Sequence, residues 1–393
     1  MKISTVVVGL SGGVDSSVAA LLLKKAGYQV IGLFMKNWHD TKVTISDQCP
    51  WLEDSYDAMI VAEKLSIPFQ TIDFSDEYKV RVVDYMFREY SKGRTPNPDI
   101  VCNRAIKFDL FLKAAQNIGA DFIATGHYAK KNEIGDSNGI KQYKLIAGSD
   151  STKDQSYFLC QLSQQQLSKV LFPIGHLKKT EVRQIAKANN LITAKKRDSQ
   201  GLCFVGKVRL SEFLKQQLKP KTGDIIEIPS EHPMYSRVIP KQDLKGLADK
   251  FKYKSSDGEL IGSHQGAFYY TIGQRKGLRV GGMENPLYVI DVDTDNNIVF
   301  VGKGKNHPGL YRKALLIKKC NIHWIRDEYN IIKGQSVELM ARIRYRQPLV
   351  HAKLNLQDEG LYIIFNQPQS AITQGQFATW YQNDELLGSG EID

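Results

Sequence analysis

Two rhythms of apolar and polar residues divide the first two hundred positions. Short apolar runs, "TVVVGL", "QVIGLFM", "PFQTIDF" and "DFIATGH", have the length and β-branched content of buried strands. Between them apolar residues recur at helical spacing over 14–26, 55–65, 78–90 and 104–118, and Gly27 and Gly119 fall where helices stop. Strand–helix alternation predicts an α/β domain with a parallel sheet covered on both faces. Ligands of such sheets gather at the carboxyl ends of the strands. Segment 130–148 reads as a hairpin inserted on that side.

The rhythm changes near residue 208. "RLSEFLKQQL" is a short amphipathic helix, followed by mixed, glycine-rich sequence through "GSHQGAFYYTIGQRKGL". From about Pro286 the chain is almost wholly strand-like, with turns such as "DTDNN" and "QDEG", which predicts a small β-barrel. The expected division is an N-terminal catalytic domain over 1–207, a small central α+β domain over 208–283 and a C-terminal β-barrel over 284–393.

Composition narrows the class. The 393 residues suit two or three cores, and 42% apolar with 24% charged content is that of a globular protein. No run of about 18 apolar residues exists, so no membrane span is expected. The opening "KISTVVVGL" lacks a signal-peptide pattern, and the cytoplasm is the expected location. Lys and Arg number 53 against 42 Asp and Glu, a net charge of +11. Such a balance fits either a polyanion partner or a merely soluble basic surface. The five cysteines match neither a zinc site nor a secreted disulfide framework, so one that matters would act as a nucleophile.

Three stretches carry chemistry. The first is "VVVGLSGGVDSSVAALLL", residues 6–23. Ser11, Gly12 and Gly13 permit a tight turn around an anion, and the helix starting near Val14 aims its N–H groups and positive dipole end at the same place. Ser11, Ser16 and Ser17 add hydroxyl donors. The lysine of the G-x-x-x-x-G-K-[ST] loop is missing, and the one charged residue is Asp15, which tolerates phosphate through Mg²⁺ or by capping the helix. An ordinary capped turn shares these residues, but S-G-G-x-D-S directly after a strand points to nucleotide binding. The second is "GRTPNPDIVCNRAIKF", where Pro96 and Pro98 stiffen a loop presenting Asn97 and Asp99. Cys102 then precedes a helix expected to begin near Asn103, a setting that favours thiolate and argues against burial. Asp99 is close enough to serve as acid or base. The third is "KKRDSQGLCFVG", which places Cys203 in a glycine-containing loop after three basic residues.

"GLSGGVDSS" resembles the loop of the PP-loop ATP pyrophosphatases, which cleave ATP between the α and β phosphates and adenylate a substrate oxygen. The resemblance implies that Gly9, Leu10, Ser11, Gly12, Gly13, Val14, Asp15 and Ser16 hold ATP, with Mg²⁺. Met35, ending "VIGLFM", and Gly126 and His127, ending "FIATGH", lie where further strand ends meet nucleotide or substrate; sheet-end packing is the alternative. With "GLFMKNW", "TPNPDIVCNRAIKF", "ATGHYA", "KDQSYFL", "DSQGLCFVG" and "GAFYYTIGQRKGL" added, nearly the whole chain is similar to the tRNA-specific 2-thiouridylases.

That resemblance implies a sulfurtransferase acting on the wobble uridine of tRNAs for Lys, Glu and Gln. Cys203 carries a persulfide loaded by a cysteine desulfurase or a sulfur-relay carrier. Cys102 then attacks the persulfide or resolves the intermediate into a Cys102–Cys203 disulfide. Asn97, Pro98, Asp99 and His127 are implied at the target base, and Lys153, Asp154 and Gln155 at the tRNA. In "ARIRYRQ", Arg342, Arg344 and Arg346 recur at period two, as on one strand face with Tyr345 opposite. Composition leaves that stripe as a phosphate track or a solvated face; the resemblance selects RNA, especially at Arg344 and Tyr345. Two rivals are a PP-loop synthetase acting on a small acid or amide, and an RNA-binding protein without catalysis.

Overall fold

The computed structural model describes residues 3–37, 50–135, 141–198, 210–215, 217–282 and 285–393. Four strands follow the apolar runs: β1 Thr5–Gly9, β2 Gln29–Lys36, β3 Phe69–Asp73 and β4 Phe122–Ala124. A hairpin follows, β5 Ala129–Gly135 and β6 Lys141–Ala147, then a two-residue strand, β7 Val170–Leu171. The parallel sheet has the order β3-β2-β1-β4-β7. The centre of β1, Val6–Val8, is wholly apolar and is buried on both faces. Val7 faces one core, with helical segments α3 (75–91) and α4 (98–117). Val6 and Val8 face the other, with α1 Val14–Lys25 and α2 Pro50–Lys64.

Segment α4 starts six residues earlier than its apolar periodicity indicates. Asn97 caps it, its side-chain oxygen accepting from the Ile100 N–H at 3.2 Å, and Pro98 occupies the first turn. The winding passes from α to π over Asn103–Leu110 and back to α over Phe111–Asn117. Helix α5, Lys179–Ala188, packs against α1. Among the described residues, no helix is long and apolar enough to cross a membrane.

Two further sheets follow. Strands β8 Gly223–Glu227, β9 Glu259–His264, β10 Leu287–Asp293 and β11 Ile298–Lys303 pair in the order β10-β11-β8-β9. This corrects the expected division at residue 284. Strands β10 and β11 carry strand-like sequence that reads as part of the C-terminal barrel, yet β11 pairs with β8, so the middle sheet runs to Lys303. Seven strands remain, from β12 Tyr311–Lys318 and β13 Ile322–Trp324 through β14 Ser336–Arg342, β15 Val350–Leu356, β16 Gly360–Ser370 and β17 Phe377–Gln382 to β18 Glu385–Glu391. They form an antiparallel, barrel-like sheet around Trp380, Phe365 and Ile363. The hairpin β5–β6 belongs to it: β6 pairs with β18, Ile146 opposite Glu385 and Leu145 opposite Leu386.

The C-terminal sheet also grips the N-terminal half at the turn after α3. Arg94 reaches Glu391 at 2.5 Å and Asp393 at 3.5 Å, with its side chain only 18% exposed. Removing the guanidinium leaves these carboxylates facing one another. Arg94→Ala is expected to cost about 2–3 kcal/mol, read as a lowered urea midpoint, while Arg94→Lys recovers part of the loss. An unchanged midpoint would make the cluster a bystander.

Candidate active site

The glycine loop joins β1 to α1 at the carboxyl end of the sheet. Gly12 adopts φ +69°, and a Cβ there would lie 2.1 Å from the Asp54 carbonyl oxygen on α2, so only glycine fits. Gly13 is the N-cap of α1 and offers no side-chain cap. Among the described residues, the first-turn N–H groups therefore lack the carboxylate or hydroxyl cap that closes most helix starts. The Ser11 N–H donates to Ser16 Oγ at 3.2 Å, while the Ser16 and Ser17 hydroxyls donate to the Gly13 carbonyl at 3.1 and 2.7 Å. The loop is shaped by its own hydroxyls around an uncapped, electropositive helix end. Glycines, uncapped N–H groups and hydroxyls together fit a nucleotide's phosphates.

Expected residues converge on this loop. A Cβ on Gly126 would meet the Asp15 carbonyl carbon and the Ser16 nitrogen at 2.7 Å, so glycine lets the end of β4 lie against the start of α1. Met35 is buried and its methyl packs over Gly9. His127 is buried beside the rings of Phe108 and Phe172, with Nδ1 2.8 Å from the Thr125 hydroxyl. Burial, aided by Lys107, holds its pKa well below the usual histidine range, so the ring is neutral.

The sequence left Asp15 as the loop's only charge, and the fold supplies the rest. Lys179, the first residue of α5, places Nζ 2.8 and 2.7 Å from the two Asp15 oxygens. The Tyr128 hydroxyl donates to Asp15 at 2.7 Å, and burial followed by that carboxylate pushes the phenol's pKa far up. Lys179 also meets Asp198 at 2.8 Å, and Asp198 pairs in turn with Lys153 at 2.7 Å and Arg183 at 2.9 Å. Partial burial opposes charge on Asp198, but the bonds from Lys153 and Lys179 outweigh it and hold the carboxyl at about 2. Lys179, Asp198 and Arg183 are absent from the expected set. The local signal marks only a helix start, Glu181 accepting from the Lys178 N–H at 2.6 Å; nothing local says that this helix faces residue 15.

Cys102 lies elsewhere than expected. Because α4 begins at Pro98, Cys102 falls in its second turn, not at its N-terminus, and is fully buried in the core with Ile106 and Phe108. Pro96 does stiffen a loop, but that loop ends at Asn97, and Pro98 already stands in the first turn of the helix. Asp99 is partly buried, and one carboxylate oxygen has no hydrogen-bond partner among the described residues. The turn is braced from outside: Thr95 N–H donates to the Gln374 carbonyl at 2.8 Å, and Gln376 Nε2 donates to the Thr95 and Pro96 carbonyls at 2.8 and 3.3 Å. Cys203, and with it the Cys102–Cys203 pairing, lies outside the described residues.

The expected RNA contacts divide. Lys153 is exposed enough to reach a ligand, though paired with Asp198. Asp154 is turned inward, accepting from the Gly148 and Ser156 N–H groups at 3.0 Å and pairing with buried Arg342 at 2.9 Å. Gln155 Oε1 accepts from the Tyr128 N–H at 2.9 Å. The period-two arginine stripe is corrected: β14 ends at Arg342, which is buried, and a bend follows. Arg344 bonds the Ala371 carbonyl, Tyr345 packs tilted against Phe158 with ring centroids 4.3 Å apart, and Arg346 is exposed. Phe158's carbonyl accepts from Asn103 Nδ2 at 2.9 Å, which joins Tyr345 to the Cys102 turn.

Comparison with known proteins agrees with this architecture. Residues 4–207 match the model described as "tRNA methyl transferase HUP domain", 249–303 the "tRNA methyl transferase PRC-barrel domain" and 312–392 the "Aminomethyltransferase beta-barrel domain". A protein from Christiangramia forsetii named tRNA-specific 2-thiouridylase MnmA is 59% identical over 395 residues, covering 98% of this chain and 99% of that protein. Its namesake from Flavobacterium johnsoniae is also 59% identical, with 98% and 99% coverage. That of Karelsulcia muelleri is 52% identical, covering 100% of this chain and 99% of its own.

Burial separates the thiols. Cys102 and Cys160 are buried, and burial pushes the Cys160 thiol up to about 12, whereas Cys320 is exposed. Brief alkylation of the native protein is expected to label Cys320 and spare Cys102 and Cys160, as read by peptide mass spectrometry. Rapid labelling of Cys102 in the protein alone would contradict its place in the core.

Proposed function

Because the chain belongs to the tRNA-specific 2-thiouridylase family, we propose that it converts the wobble uridine of tRNA to 2-thiouridine, using ATP to activate the base and a persulfide to supply sulfur. The observation that carries the reading is the uncapped start of α1 behind Gly12 and Gly13, a phosphate cradle on a chain that matches the thiouridylases from end to end. ATP lies with its phosphates at the loop formed by residues 9–16. Mg²⁺, when bound, would neutralise phosphate charge, and Asp15 is the loop's carboxylate that would hold it.

The uracil edge is read at the Asn97–Asp99 turn. The unpartnered Asp99 oxygen is an acceptor in waiting, suited to the uracil N3–H and to proton movement as C2 changes its bonding. The C2 oxygen attacks the α-phosphorus, pyrophosphate leaves, and a poor leaving group becomes AMP. The Cys203 persulfide then adds its terminal sulfur to C2 and AMP departs. The Cys102 thiolate attacks the Cys203 sulfur, the S–S bond breaks, its electron pair stays with the sulfur on the base, and a Cys102–Cys203 disulfide remains for an external reductant. In this reading buried Cys102 must be uncovered when RNA enters, and the segment from Thr95 and Pro96, braced by Gln374 and Gln376, through the helix start at 97–103 is the part that has to move. Lys153, Arg344 and Tyr345 contact tRNA, while Asp154 and Gln155 serve as positioning groups behind them. A cysteine desulfurase or a relay carrier charges Cys203.

The reading predicts that AMP and pyrophosphate form only when unmodified tRNA is present. Asp15→Ala should abolish that release and leave tRNA affinity within a few-fold, because RNA affinity is carried by distributed basic contacts. Release without tRNA would favour a small-molecule synthetase; no release at all would favour an RNA-binding protein without catalysis.

The two cysteines should fail differently. Cys203→Ser should take no labelled sulfur from a desulfurase and make no thiolated tRNA, yet still release pyrophosphate with tRNA. Cys102→Ser should accept sulfur on Cys203 and turn over poorly. Thiolated tRNA made by Cys203→Ser, with label on Cys102, would reverse the assignment.

A further inference from the structure

Resting on the nucleotide reading of the loop, we infer that Lys179 is the phosphate-binding cation of this site, delivered by α5 and held in reserve between two carboxylates. The loop over residues 9–16 has no basic residue of its own. Lys179 stands at its mouth, with a side chain only 11% exposed and Nζ within 2.8 Å of both Asp15 oxygens and of Asp198 Oδ1. An ammonium has three donors, and its close partners here are all anionic: the two oxygens of Asp15 and one of Asp198. Its backbone is fixed, the N–H donating to Asp150 Oδ2 at 2.9 Å, so the flexible part is the four-carbon stem.

The surroundings allow the ammonium to change partners. When Lys179 turns to a phosphate oxygen, Asp15 keeps the Tyr128 hydroxyl at 2.7 Å. Asp198 keeps Lys153 and Arg183. Neither carboxylate is left bare, so the exchange of a carboxylate ligand for a phosphate one costs little. A lysine that served only to neutralise Asp15 would have no use for the second carboxylate. No covalent bond changes in this step; one anionic ligand of the ammonium replaces another.

The test is equilibrium binding, by calorimetry, of pyrophosphate and of a non-hydrolysable ATP analogue to the full-length protein. Lys179→Met should weaken both by roughly 10- to 100-fold, the scale of a charge-assisted contact, with tRNA affinity unchanged as the control for folding. Lys179→Arg should retain part of the affinity. The deciding comparison is made in an Asp15→Asn background. If Lys179 touches phosphate, adding Lys179→Met still weakens pyrophosphate binding there; if it only neutralises Asp15, adding it changes nothing, and the inference falls. Asp198→Asn, which removes a competitor for the ammonium, should tighten pyrophosphate binding; unchanged or weaker binding would overturn the inference without requiring any lysine variant to fold. Wild-type protein that binds neither ligand would overturn the nucleotide reading itself, and the inference with it.

Discussion

A carboxylate at the mouth of the glycine loop is the constraint around which the N-terminal half is arranged. Asp15 sits in the first turn of α1, where the helix dipole favours negative charge, and its neighbours neutralise it further. Lys179 and Tyr128 both bond it, and both come from elements far away in sequence. For Tyr128 to arrive, β4 must end hard against α1, and the missing side chain of Gly126 makes that approach possible. For Lys179 to arrive, α5 must pack on α1, which it does through an apolar face that includes Val182 and Ala186. Electrostatics at one residue thus depends on close packing at two others.

The second organising feature is the turn before α4, which belongs to all three parts of the molecule. Its prolines stiffen it, Gln374 and Gln376 of the C-terminal part bond its backbone, and the Thr95 hydroxyl lies 3.2 Å from that of Thr271 in the middle part. The hairpin β5–β6 reaches the other way, from the catalytic half into the C-terminal sheet. The pieces therefore interlock, and the buried Arg342–Asp154 pair extends the same join under the 153–158 segment. Replacing either partner would strand a charge in a place where water cannot reach it. This arrangement places Lys153 outward and Asp154 inward, although the two are neighbours in a polar turn.

Much was legible from sequence because the physics was local. Strand β1 reads as apolar on both faces, and it is covered on both. The glycine loop, its serines and the helix start follow from the steric freedom of Gly12 and the lack of a cap at Gly13, properties of a few adjacent residues. Met35 and Gly126 lie beside the loop because they stand at the ends of strands of one parallel sheet, Met35 over Gly9 and Gly126 against Asp15 and Ser16.

What remained depended on partners remote in the chain. Asn97 and Pro98 could have been read as a cap and a first turn, but Cys102 is buried because aromatic residues from several helices close over it. Arg342 alternates with Arg344 and Arg346 on paper, yet a buried carboxylate 188 residues away draws it inward and the strand stops there. Strands β10 and β11 look like any barrel strands, and only pairing with β8 assigns them to the middle sheet. The sequence by itself determined most of the elements and the glycine loop, because backbone sterics and apolar periodicity act over a few residues. Tertiary structure alone decided which thiol is covered and which lysine answers Asp15, because burial and charge pairing depend on what the rest of the chain brings within a few ångströms.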